Sequence, residues 1–301
     1  MRHLSSSVIE AAETIILGKR SQLRLALCCL LARGHLLIED VPGVGKTLFS
    51  QVLARVLGLT FQRIQFTSDL MPADILGFSM PDGSGHGFRF HPGPVFSHVV
   101  LADEINRATP KAQSALLEAM EERQVTIEGE SRQLPEPFFV IATQNPVTHV
   151  GTFSLPESQM DRFMMRIHMG YPDPVAERRL LLGGDRRTLM NSMVCPLEAG
   201  SLGAMMAAVD HMHVADPLMD YLQAILAHTR TPNRFVTGLS PRAGLALLAA
   251  AKAHAFLEGR RGVTPEDLQA VLIPVTGHRL AFQSDDALDP GRSLLTAVAV
   301  P

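Results

Sequence analysis

The run Asp40-Val-Pro-Gly43-Val44-Gly45-Lys46-Thr47-Leu48 puts two glycines, a lysine and a hydroxyl side by side. That set can grip a polyphosphate. Glycines lack a Cβ, so the backbone can bend around an anion and aim its N–H groups inward. Lys46 can reach the β- and γ-phosphates, and the Thr47 hydroxyl can hold Mg²⁺. A second set is Val99-Val-Leu-Ala-Asp103-Glu104, an apolar run ending in two acids. Asp103 can hold Mg²⁺, mainly through water. Glu104 can orient and deprotonate an attacking water. A third is Thr143-Gln-Asn145-Pro146, whose Asn145 amide can hydrogen-bond a γ-phosphate or that water, or simply open an Asn-Pro turn. Together these residues suit hydrolysis of a nucleoside triphosphate. One departure stands out: strict P-loop spacing wants glycine where Asp40 sits, which leaves an ordinary strand-to-helix turn as the competing reading.

The elements that must position these residues are legible. Leu36 to Ile38 read as a short buried strand, and a helix opens at Lys46 with Val52, Leu53, Val56 and Leu57 on it. Phe61–Phe66, Val99–Ala102, Phe138–Thr143 and Phe163–Met169 read as four more strands. Val8 to Ala32 read as helical, with a turn at Ile15–Arg20. Thr109-Pro110 starts a helix, Thr as N-cap and Pro at the first helical position. Ser68–Pro94, crowded with Pro and Gly and carrying Phe78, Phe88 and Phe90, predicts a hairpin or extended loop. Its aromatics either touch a partner or tuck underneath. Gln124–Leu134 alternates around Gly129 and reads as a second hairpin. Tyr171-Pro-Asp-Pro174 breaks the pattern. Helices follow at Val175–Leu182, Leu202–Val209, Pro217–Thr229, Pro241–Leu257 and Pro265–Val275, while Gln283–Pro301 shows no clear period. Strands alternating with helices, then helices alone, predict an α/β nucleotide-binding domain over residues 1–171 and an α-helical domain over 172–301.

Composition narrows the setting. The 301 residues are 46% hydrophobic, enough for one large core or two smaller ones. A net charge of −3 is not the footprint of a protein that coats nucleic acid, and the absence of Trp leaves few base-stacking platforms. Cys28, Cys29 and Cys195 form no Cys-x-x-Cys pair and read as small hydrophobes in a reducing compartment. No signal-peptide core follows the N-terminus, and the apolar runs Leu25–Ala32 and Ala243–Ala251 are short of a membrane span. A cytoplasmic, soluble protein is expected. The histidines have no zinc spacing. The arginine pairs 178–179, 186–187 and 260–261 read as solvated helix faces or ends.

Val-Pro-Gly-Val-Gly-Lys-Thr, Ala-Asp-Glu-Ile-Asn-Arg-Ala, Ala-Thr-Gln-Asn-Pro and Leu-Pro-Glu-Ser-Gln-Met-Asp-Arg-Phe occur in that order. With Gly238-Leu-Ser-Pro-Arg-Ala243 and Gly277-His-Arg279, the chain resembles the MoxR family of AAA+ ATPases from about Ile9 to Leu280. The resemblance implies a five-stranded parallel sheet between helices followed by a helical lid, with ATP and Mg²⁺ bound between core and lid. It also matches Asp40 to a family aspartate. It implies nucleotide contacts from Gly43, Val44, Gly45, Lys46, Thr47 and Leu48, with Gly18 beside the adenine. It makes Thr47 and Asp103 the metal residues, Glu104 the base and Asn145 the first sensor. Arg162 becomes the arginine finger offered to a neighbouring subunit, with Arg166 as alternate; from the residues alone, Arg162 could equally pair with Asp161 or Glu157. Arg242 becomes the second sensor. Ser240-Pro241 put it in a first helical turn, where a cation opposes the helix dipole by a few tenths to about 1 kcal/mol and a bound phosphate reverses the sign. The insert 68–94 and hairpin 124–134 would line a central pore or its rim. The implied work is chaperone-like remodelling of a protein client by a homo-oligomeric, hexameric ring, with a von Willebrand factor A domain adaptor. Related readings are a Rubisco or nitric-oxide-reductase activator and a nucleic-acid motor, against which the acidic balance argues.

Overall fold

The computed structural model describes residues 2–81, 88–145, 153–283 and 290–300. Gly83, Gly85, His86 and Gly87 of the insert, and Pro146 of the Asn-Pro pair, lie outside the described residues. Helices α1 (Arg2–Glu13) and α2 (Arg20–Leu31) precede β1 (Leu36–Glu39), α3 (Lys46–Val56) and β2 (Phe61–Gln65). Next come α4 (Pro72–Leu76), β3 (Gly77–Pro81), β4 (Phe88–Pro92), β5 (Val99–Asp103) and a 3₁₀ turn at Ile105–Arg107. They are followed by α5 (Pro110–Glu122), β6 (Gln124–Ile127), β7 (Glu130–Gln133), β8 (Phe139–Gln144), α6 (Glu157–Met160) and β9 (Met165–Ile167). The rest is helical: α7 (Pro174–Leu182), α8 (Arg186–Asn191), α9 (Ser201–Asp210), α10 (Asp216–Thr229), α11 (Pro241–Leu257), α12 (Pro265–Thr276) and α13 (Pro290–Ala297). Among the described residues, no helix is long and apolar enough to cross a membrane.

Five strands form one parallel sheet in the order β2-β5-β8-β1-β9. β5 and β8 are buried along their whole length, as a parallel sheet covered on both faces requires. Side chains alternate between the faces. Leu36, Ile38, Leu101 and Ile141 join the core under α1–α3, and Leu37, Val100, Val140 and Ala142 join the one under α5. The C-terminal helices extend the first of these cores. Cys28 of α2 donates its thiol to the Ala250 carbonyl of α11 at 3.2 Å. Burial pushes the Cys28 and Cys29 thiols above their usual range, so both act as small apolar residues. The two expected hairpins are present, β3–β4 and β6–β7, and the Arg132 guanidinium lies 4.2 Å from the Phe90 ring centroid, clamping one to the other. Phe90 is thus tucked in, while Phe88 is 74% exposed. The short helices α4, α6 and α8, and α13 in the tail, carry too few turns to show a period in sequence.

His35, just before β1, is buried. The Val140 N–H donates to its Nδ1 at 3.0 Å, and its Nε2 lies 3.2 Å from the Met120 carbonyl. A neutral ring protonated at Nε2 serves both partners. Burial lowers its pKa to about 4. Between about pH 6.5 and that value the unfolded chain holds a proton that the folded chain refuses, so stability falls as pH falls. From pH 7 to pH 5 this one group is expected to remove about 2 kcal/mol. Chemical denaturation at the two pH values checks it: a His35→Gln variant should show a pH-dependent loss smaller by that amount, and an unchanged loss would refute the assignment.

Candidate active site

The loop after β1 leaves the sheet at its C-terminal edge, beside the strand where the order reverses, which is where open α/β sheets bind ligands. Gly43 (φ +87°) and Gly45 (φ +90°) take left-handed conformations that other residues adopt only under strain. Gly45 begins α3 with no side chain capping it, so the first N–H groups of the helix point at the loop unpaired by any cap. Asp40 fits for a specific reason. Its carboxylate accepts the Gly170 N–H at 2.6 Å and the Val41 N–H at 2.8 Å, tying the start of the loop to the chain leaving β9. Lys46 donates to the Asp40 carbonyl at 2.7 Å and to Asn145 Oδ1 at 3.2 Å. Burial pulls its pKa down, and Asp40, Asp103 and Glu104 push it back up. Val44 packs its partly buried side chain against the apolar core.

Strand register brings the acids to the same edge. Gln65 pairs with Asp103 and Ile38 with Thr143. Asp103 is nearly buried; it accepts the Thr143 hydroxyl at 2.6 Å and the Arg63 guanidinium at 2.6 Å. Glu104 takes a left-handed backbone (φ +57°), a conformation costing about 1–2 kcal/mol in a non-glycine residue. Its N–H donates to Thr143 Oγ1 at 2.8 Å. Its carboxylate accepts Asn145 Nδ2 at 3.1 Å, Gln65 Nε2 at 2.9 Å and Arg107 Nε at 3.1 Å. Asn145 therefore bridges Lys46 and Glu104 with one amide. A cavity of about 500 Å³ joins Lys46, Thr47, Asp103, Glu104 and Asn145 to Arg187 of α8. A Mg²⁺-nucleotide suits this donor set, since Mg²⁺ asks for one or two protein oxygens besides phosphate and water. Thr47 and Asp103 can supply them.

Arg162 and Arg242 are elsewhere. Both pair with Glu121 at the end of α5, Arg162 at 3.0 Å, and both line a second cavity of about 330 Å³ together with Gly34 and His35. That cavity lies at the N-terminal edge of the sheet, roughly 13 Å of β1 away from the phosphate loop. Arg242 does stand in the first turn of α11, whose N-cap Ser240 accepts the Ala243 N–H at 3.1 Å; the Glu121 carboxylate, not a phosphate of its own subunit, is the anion beside it. Arg162 pairs with neither Asp161 nor Glu157. Asp161 is held by Arg279 at 2.6 Å, and Arg279 also donates to the carbonyls of Asp161, Phe163 and Met164, fixing the loop that carries Arg162. Arg166 is engaged with Glu39 at 2.9 Å and the Gly277 carbonyl at 2.6 Å.

Comparison with known proteins identifies the family and the fold. Residues 35–165 match the model of the ATPase family associated with various cellular activities, and residues 227–295 match an AAA lid domain. The chaperone MoxR1 of Mycobacterium tuberculosis is 39% identical over 314 residues, covering 99% of this chain and 83% of its own. The chain belongs to the MoxR family of AAA+ ATPases. The YeaC protein of Bacillus subtilis is 40% identical across 99% of this chain and 95% of its own. A crystal structure of a proposed ATPase from Cytophaga hutchinsonii superposes with a TM-score of 0.89 at 33% identity, covering 100% of this chain and 96% of that one.

In this MoxR-family chain, Gly18 (φ +67°) does not line the phosphate cavity. It sits against the start of α7, where an added Cβ would meet that of Ala176 at 2.8 Å, and Lys19 reaches the Tyr171 carbonyl at 2.7 Å. The helical part reaches the cavity through α8 and not through α11, so Arg242 is not brought to the phosphate loop of its own chain. Sequence reasoning missed Thr143, Arg63 and Glu121, which hold the acids and arginines in place. Of these only Thr143 left a trace, as the hydroxyl two residues before Asn145.

Proposed function

We propose that this MoxR-family chain hydrolyses ATP in a homo-oligomeric ring and uses the energy to remodel a protein client. One observation carries the reading: a phosphate loop with its acids occupies one edge of the sheet, and a pair of arginines without access to that loop occupies the other. Each is half of a phosphoryl-transfer site, and a neighbouring copy can complete it. Lys46 and the loop N–H groups bind the β- and γ-phosphates, with the adenine against Gly18. Thr47 and Asp103 would hold Mg²⁺, which would supply neutralisation of the phosphate charge. Glu104 takes the proton of the attacking water, oriented by Asn145. Arg162 and Arg242 of the next subunit meet the charge that develops on the γ-phosphate. Residues 1–171 form the nucleotide-binding part and 172–301 the helical part. Exposed apolar side chains on and near α7, such as Val175, Leu181 and Leu182, support a face covered by another copy. The paired hairpins, with Phe78, Met80 and Phe88 exposed, offer an apolar surface to the client. Measuring ATP turnover against protein concentration tests this. Specific activity is expected to collapse as the oligomer is diluted to monomers; a constant value down to the monomeric range would overturn the shared site.

A further inference from the structure

With Arg242 on the far edge, the question is which cation from the helical part faces the phosphates of its own chain. Asp185, Arg186 and Arg187 line the phosphate cavity opposite the loop. The two arginines do different things. Arg186 is turned into the protein, donating to the carbonyls of Thr14 at 3.3 Å and Arg179 at 3.1 Å, which pins α8 against the end of α1 and the body of α7. Arg187, about 100° further round the helix, is exposed, and its guanidinium makes no hydrogen bond or ion pair among the described residues. The carboxylates that share the cavity have hydrogen-bond partners of their own, and the Arg187 charge acts on Asp185 without an ion-pair contact. Asp103 takes Arg63 and Thr143; Glu104 takes Asn145, Gln65 and Arg107; Asp185 accepts the Arg187 N–H at 3.0 Å and the Thr188 hydroxyl at 2.9 Å. Asp103 and Glu104 are thus matched by Arg63 and Arg107, which leaves Lys46 as the cation that meets a triphosphate from the loop side. Arg187, with no ion pair of its own among the described residues, is placed to meet the same anion from the opposite wall.

We infer that Arg187 is a nucleotide ligand, binding the phosphate chain from the same subunit that supplies the phosphate loop. This rests on the reading of the cavity as an ATP site. It gives α8 a task distinct from that of α11: α8 closes on the subunit's own nucleotide, and α11 carries Arg242 at the opposite edge. The planar guanidinium suits this, because it can engage phosphate oxygens through two parallel N–H groups. Arg186, held by backbone carbonyls, is the positioning residue that sets the approach of α8.

Titration calorimetry with Mg·ATP and Mg·ADP tests the inference. Arg187→Ala is expected to weaken both by roughly 10- to 100-fold, the range for losing a hydrogen-bonded charged contact. Arg187→Lys, which keeps the charge but not the two parallel N–H groups, should recover only part of the loss. Arg261→Ala removes a charge of the same kind from the exposed loop before α12 and should bind as wild type. Arg187→Ala within twofold of wild type, or an equal loss in Arg261→Ala, would overturn the assignment while leaving the ATP site intact. If the wild-type protein takes up no nucleotide, or Lys46→Ala binds as wild type does, the ATP site itself is wrong and the role of Arg187 falls with it.

Discussion

Arg162→Ala is expected to lower ATP turnover by ~10³–10⁵-fold, the magnitude attached to an arginine supplied to a phosphoryl-transfer site from outside. The structure explains why so large an effect needs no loss of fold. Arg162 is partly exposed and pairs with a partly exposed Glu121, and such a pair contributes about 0–1 kcal/mol to stability. The loop under it is fixed by Arg279, which the substitution leaves in place. Thermal melting should therefore barely move while turnover disappears. The decisive measurement is complementation. Mixed with Lys46→Ala subunits, which keep Arg162 but lose the phosphate-binding ammonium, Arg162→Ala subunits should regain activity, because a mixed junction joins an intact loop to an intact arginine. If no mixture regains activity, Arg162 acts within its own chain or only as a structural residue.

Glu104→Gln is the second large effect: turnover is expected to fall by ~10²–10⁴-fold, the contribution of a positioned general base, with Mg·ATP still bound. Glutamine has nearly the same shape but cannot take a proton from water. It also has one acceptor oxygen where glutamate has two. Asn145 donates to Oε1, while Gln65 and Arg107 donate to Oε2, so the new NH₂ must face at least one donor. The local network should rearrange, yet the phosphate loop, Thr47 and Asp103 are untouched, so ATP affinity is retained. Turnover in single-turnover and steady-state assays checks this, and wild-type rates from the variant would remove Glu104 from the mechanism.

The parts of the site that lie next to one another in sequence were readable. Gly43 to Thr47 and the acids ending β5 announce themselves because each is one strand end with its chemistry attached. Asp40 looked like a defect in the loop, because its partner, the Gly170 N–H, arrives from the far side of β9. Arg187 looked like half of a solvated pair. Only the docking of α8, through the bonds of Arg186 to Thr14 and Arg179, places it over the phosphate cavity. Arg242 was legible as a residue on a capped helix, but which edge of the sheet it serves depends on α11 packing against α2. That contact spans more than two hundred residues of chain and carries no local period. The strands themselves are legible as apolar runs, but their order in the sheet is set by long-range pairing, and α8, a six-residue helix following Gly184, is too short to show amphipathicity.

The sheet gives each subunit a polarity: nucleotide at one end of β1, arginines at the other. On the proposed reading, a head-to-tail neighbour would bring unlike ends together, and an open arc of such neighbours would leave one loop and one arginine pair idle at its extremities. A closed circle of them would leave no member silent.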